Sequence, residues 1–65
     1  MKIYTGWVLC VDGVEKKIVG SIRIRKNTQY VLKDVKTGSK EGMQREILIA
    51  LMGKGIVKYL RSEAV

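Results

Sequence analysis

The chain has no histidine and no proline, and a single cysteine among its 65 residues. Without histidine, and with Asp12, Glu15, Asp34, Glu41, Glu46 and Glu63 scattered along the chain, there is no acid-base pair or nucleophile motif on which to build an enzyme. One cysteine, Cys10, excludes a disulfide framework within the chain and a Cys-ligated zinc site; no metal or cofactor is expected. Lying inside an apolar alternating run, Cys10 reads as a small core filler. The longest apolar run is the six residues from Ile47 to Met52, far short of the roughly 20 that span a bilayer. No secretory leader can be traced, so a soluble, cytoplasmic protein with no membrane partner is the expectation. The lack of proline, low-complexity tract and internal repeat leaves nothing that reads as a linker, and residues 1–65 are read as one domain.

Acids are also few. Thirteen Lys and Arg face six Asp and Glu, a formal charge of +7, which on so small a surface favours an anionic partner, nucleic acid first. The composition, 46% hydrophobic and 29% charged, is that of a folded chain.

Residues 3–11, IYTGWVLCV, are rich in β-branched and aromatic types and precede Asp12-Gly13, a favoured pair for a tight hairpin. They read as a first strand. Trp7 shares a face with Leu9 and Val11 and is expected in the sheet wall or at an interface. In residues 14–26, strict alternation puts Ile18, Gly20, Ile22 and Ile24 on one face and Lys17, Val19, Ser21, Arg23 and Arg25 on the other. Gly20 inside that strand signals a bulge or sharp bend. Asn27-Thr28-Gln29 reads as a short polar loop, and residues 30–36 as a third strand.

The stretch ILIALMGKGIVKYL, residues 47–60, admits two readings. As a helix begun near Ser39 it leaves Leu48, Ile49 and Met52 spread around its circumference, more apolar surface than so small a domain can cover. As a strand over residues 44–52, a Gly53-Lys54-Gly55 turn and a fifth strand over 56–61, both faces find cover in a curved sheet. The second reading gives an all-β fold, a small five-stranded, strongly bent antiparallel barrel of Sm-like or SH3-like type.

That pattern resembles the Sm-like family over nearly the whole chain. Val11-Asp12-Gly13 is similar to the family's first turn, Gly20-Ser21-Ile22 to its Gly-x-hydrophobic element, and Leu51-Met52-Gly53-Lys54-Gly55-Ile56-Val57 to its second motif. The chain departs from the family at two uridine-pocket positions: Lys26 stands where an Asp is usual, and Met52 where an Arg is usual. Gln29 stands at the family's Asn position. The resemblance implies a homo-oligomeric ring of roughly five to eight subunits, closed by pairing strand four with strand five of the next copy. Leu48, Ala50, Met52, Val57 and Tyr59 would line that seam. It also implies single-stranded RNA as partner, with Arg23, Arg25, Lys26 and Lys54 on phosphates, Asn27 and Gln29 on base edges and Tyr30 as a stacking ring. Two alternatives use other features: a protein-interaction or assembly module on the same barrel, and a basic three-stranded sheet plus helix that binds duplex DNA.

Overall fold

The computed structural model describes residues 2–64. Five antiparallel strands and one helix follow in the order β1 (Trp7–Val11), β2 (Val14–Ile24), β3 (Asn27–Asp34), β4 (Lys40–Gln44), α1 (Arg45–Gly53) and β5 (Val57–Ser62). Asp12 and Gly13, at φ 51° and 81°, make the tight β1–β2 turn expected of an Asp-Gly pair, with Val11 facing Val14. Asp34 organises the β3–β4 connection. Its carboxylate accepts the backbone N–H groups of Lys36 (2.8 Å) and Thr37 (3.1 Å), and those bonds hold its pKa below the ordinary aspartate range.

The strands order as β4-β3-β2-β1-β5, so the meander ends at one edge while β5 lies at the other. With no ladder between β4 and β5, the expected barrel is not closed. Crossing the four strand spacings from β4 to β5 means travelling about 19 Å in a flat sheet. A tight glycine turn cannot do this. The chain crosses instead as α1, whose nine residues span about 14 Å, and residues 44–52, expected as a strand, are therefore mostly helix.

Gly53-Lys54-Gly55 is the helix stop. Lys54 closes on the carbonyl of Ala50 (3.1 Å), Gly55 N–H on that of Met52 (3.1 Å) and Ile56 N–H on that of Leu51 (3.0 Å), with Gly55 at φ 76°. This is the Schellman arrangement, and it needs a residue that tolerates the left-handed region at Gly55.

The helix is stable because one stripe of it completes the core. Leu48 is fully buried among Leu9, Ile18, Tyr30, Leu32 and Val57, with Met43, Leu51 and Met52 packed around them. Each such aliphatic side chain contributes about 1.5–3 kcal/mol by leaving water. Leu48 and Val57 therefore belong to the core and cannot form a subunit seam. Met52 is half-buried against the core, while Ala50 and Tyr59 remain exposed. Ile47 is the large apolar side chain that the helix leaves exposed to solvent. Among the described residues no helix is long and apolar enough to cross a membrane.

A bulge in β2 decides which side chains face which way. Ile18 pairs with Leu32 but Gly20 pairs with Val31, so Val19 is the extra residue. The alternation therefore inverts beyond it. Ser21 faces Tyr30 and Arg23 faces Thr28 on the helix side, while Ile22 (52% exposed) and Ile24 (55%) turn outward. The single inward apolar face expected along this strand ends at Ile18.

On the outer face Val8 is fully buried although it lies outside the main core. It pairs with Lys17 on one side and Arg61 on the other, and their stems shield it. Arg61 bonds Glu63 (2.7 Å) and Glu15 (2.9 Å), and Lys17 donates to the Ala64 carbonyl (2.6 Å). The Arg61 contact holds the Glu63 carboxyl below its ordinary pKa.

The two glycines around Lys54 should respond oppositely to alanine. Neither has an atom within 4 Å of an added Cβ, so only backbone preference matters. Gly53→Ala, inside the helix, is expected to raise stability by about 0.5–1 kcal/mol, and Gly55→Ala to lower it by about 1–2 kcal/mol. Urea midpoints of the two variants measure both; a loss in both would refute the helix stop.

Candidate nucleic-acid interface

The face inversion in β2 and the start of α1 together make the site. Ile24 faces Asn27 across a two-residue turn, Arg25-Lys26, so Asn27, Thr28 and Gln29 lie within β3 and not in the loop that their polarity suggests. At the same end of the sheet β4 gives way to α1 beside Gln29, which pairs with Gln44. Between the hairpin tip and the helix start lies an open cleft of about 260 Å³, lined by Arg23, Lys26, Asn27, Thr28, Gln44, Arg45 and Glu46.

Three of its lining residues, Arg23, Lys26 and Asn27, are sequence-expected site residues. The others are placed elsewhere. Arg25 is exposed on the turn. Gln29 lies on β3 outside the cleft, near Gly42, where an added Cβ would stand 3.3 Å from its Oε1. Tyr30 is 7% exposed in the core, which denies a base access to its ring. Lys54 caps the C-terminal end of α1, a helix length of about 14 Å from the cleft. Arg45 and Gln44 were not legible as site residues. They become so only once Arg45 is recognised as the first residue of a helix, preceding the apolar run.

Three of the six acids are ion-paired among the described residues. Glu41 pairs with Lys16, Glu15 with Arg61, and Glu63 with Arg61 and Lys17. Arg23, Arg25 and Lys26 have no ion-pair partner among the described residues, as is also true of Lys33, Lys36, Lys40, Lys54 and Lys58; what Arg23 and Lys26 add is that they line one cleft. The one acid lining the cleft is Glu46, in the first turn of α1, where it complements the helix dipole. Gln44, at the N-cap, makes no side-chain cap hydrogen bond, so no side chain of that residue occupies the first-turn N–H groups. Cations, amides, a hydroxyl and the positive end of a helix dipole suit an anion with polar edges, such as a phosphate.

No family model, no curated protein and no solved structure matches the chain.

Arg25 stands at φ 57°, in the left-handed region that non-glycine residues avoid. Replacing it with glycine removes that cost and one exposed charge together. Arg25→Gly is expected to raise stability by about 0.5–1 kcal/mol, less than the full left-handed penalty because glycine loses more chain entropy. Thermal unfolding measures it, and a lowered melting temperature would count against strain in this turn.

Proposed function

We propose that the protein binds single-stranded RNA, with the cleft between the β2–β3 turn and the start of α1 taking backbone phosphates. The observation that carries this reading is the convergence of Arg23 and Lys26, cations with no ionic partner among the described residues, on one cleft shared with Arg45 and the amides of Asn27 and Gln44. Three basic side chains against one acid give that cleft a local excess in keeping with the +7 of the chain.

Duplex DNA fits less well. The helix it would need is present as α1, but the exposed residues Glu46, Ile47 and Ala50 offer a major groove one acid and two apolar side chains. A protein-interaction role draws on a different feature, the outward pair Ile22 and Ile24, and predicts binding that salt does not weaken and no RNA retained on purification.

Assembly into an Sm-like ring belongs to the same proposal. The two free sheet edges, β4 and β5, lie on opposite sides of the subunit and can each receive a strand from a neighbour. With Leu48 and Val57 in the core, the seam rests on edge backbone groups and on exposed Leu60. Absolute mass by light scattering is expected at roughly five to eight times the 7.3 kDa chain; a monomer removes the ring.

Arg23→Ala with Lys26→Ala should weaken oligouridine binding and flatten its dependence on salt. At about 0.7 per lost contact, the slope of log affinity against log salt should fall in magnitude by about 1.4. Anisotropy titrations across salt concentrations measure it. An unchanged slope would remove the cleft from RNA binding, and failure of the wild type to bind at low salt would remove the function.

A further inference from the structure

Three of the chain's four aromatic residues form one cluster, away from the buried Tyr30. The turn Tyr4-Thr5-Gly6-Trp7, closed by Trp7 N–H on the Tyr4 carbonyl (3.3 Å) with Gly6 at φ 101°, brings the ring of Tyr4 to 5.9 Å from Trp7. From the other side the β1–β5 ladder brings Tyr59 to 4.9 Å, edge-on to Trp7. The Tyr59 hydroxyl lies 2.7 Å from Ser62 Oγ, which fixes that ring. Core packing at Trp7 therefore supports two rings that stay largely in solvent, Tyr4 at 56% and Tyr59 at 47% exposure.

We propose that Tyr4 and Tyr59, held by Trp7, are a stacking platform for the bases of the single strand whose phosphates the cleft takes. The inference rests on the nucleic-acid reading above and adds the part of the site that contacts bases.

Position and charge both favour it. Trp7 is half-buried against the core on the helix side of the sheet, and Gly6 N–H bonds the Ile18 carbonyl (2.8 Å), which fixes the cluster beside the middle of β2. Beyond Ile18, β2 runs on toward the cleft and presents Arg23 on the same side of the sheet. From the level of Ile18 to Arg23 is roughly 16 Å of strand, and Tyr59, two strands across and level with Lys16, lies roughly 25 Å from Arg23, a span that several nucleotides bridge. The nearby carboxylate, Glu63, is already engaged by Arg61 and Lys17. An exposed aromatic pair in a net positive field suits a planar ligand carrying negative charge, and not a quaternary ammonium or a basic peptide.

Trp7 is the sole tryptophan, so its fluorescence reports on this cluster alone. The experiment compares oligouridine with an abasic sugar-phosphate oligomer of equal length, for the wild type, for Tyr4→Leu, and for Tyr4→Leu with Tyr59→Leu. Leucine keeps apolar bulk at exposed positions, and Tyr4 lies outside every strand and the helix, so the single variant preserves the fold. The wild type should bind oligouridine about tenfold more tightly than the abasic oligomer, with Trp7 quenched by oligouridine only. The double variant should bind both oligomers at the abasic level and lose the quench, with Tyr4→Leu intermediate. Equal wild-type affinity for the two oligomers, or an oligouridine affinity indifferent to both variants, overturns the platform and leaves the phosphate cleft standing. Failure of both oligomers to bind at low salt overturns the nucleic-acid reading and the platform with it.

Discussion

Leu48 is the side chain around which the fold closes. A five-stranded sheet of this length has one concave face to cover, and the chain has only nine residues of helix with which to cover it. Inserting Leu48 among Leu9, Ile18, Leu32 and Val57 joins strands from the centre and both halves of the sheet to one point on α1. It also fixes the direction of the helix. Because α1 must leave β4 and arrive at β5 on the far edge, its N-terminus falls beside the β2–β3 hairpin and its C-terminus at the opposite end. Packing thus places Arg45 next to Arg23 and Lys26, and carries Lys54 away from them.

The bulge at Val19 is the second determinant, and it acts on chemistry through geometry. In an unbroken strand, Arg23 would share the outward face with Lys17, and Ile22 and Ile24 would continue the apolar face begun by Ile18. One extra residue exchanges these roles. The cost is two exposed isoleucines. The result is an exposed arginine on the helix side, lining the cleft beside the helix start.

Much of the antiparallel sheet was legible in the sequence: the Asp12-Gly13 turn, the strands around it and the irregularity at Gly20 follow from local chemistry. Residues 44–52 were misread because both secondary structures satisfy their apolar pattern, and the deciding fact is topological. A Gly-Lys-Gly turn suits neighbouring strands, whereas β5 pairs with β1 across the sheet, a long-range partnership that no local window contains. The site was legible only in part for the same reason. Arg23 and Lys26 announce themselves as cations in a basic run, but their orientation depends on a bulge register, and Arg45 joins them only through the helix. Tyr30, placed by alternation on a useful-looking strand, is held in the core by Met43 and the helix side of β4.

Several departures from local preference fall around the β2–β3 turn and the helix start. Arg25 occupies a left-handed turn position, Ile22 and Ile24 are exposed, the α1 N-cap lacks a side-chain hydrogen bond, and Arg23 and Lys26 stand close with no ionic partner among the described residues. At the opposite end, the Asp12-Gly13 turn, the Asp34-capped connection and the Gly55 helix stop each use the residue that the geometry prefers, while Val14, Val35 and Ile56 are exposed there. A chain of this size has roughly 3–10 kcal/mol of net stability, and a left-handed arginine alone forgoes about 1–2 kcal/mol of it. What sets the hairpin end apart is that a left-handed arginine, a helix start without a side-chain cap and two cations without an ionic partner among the described residues meet beside one cleft, the kind of local departure that functional sites often carry. Arg23, Arg25, Lys26 and Arg45, four of the thirteen cations, thus share the hairpin tip and the helix start that faces it.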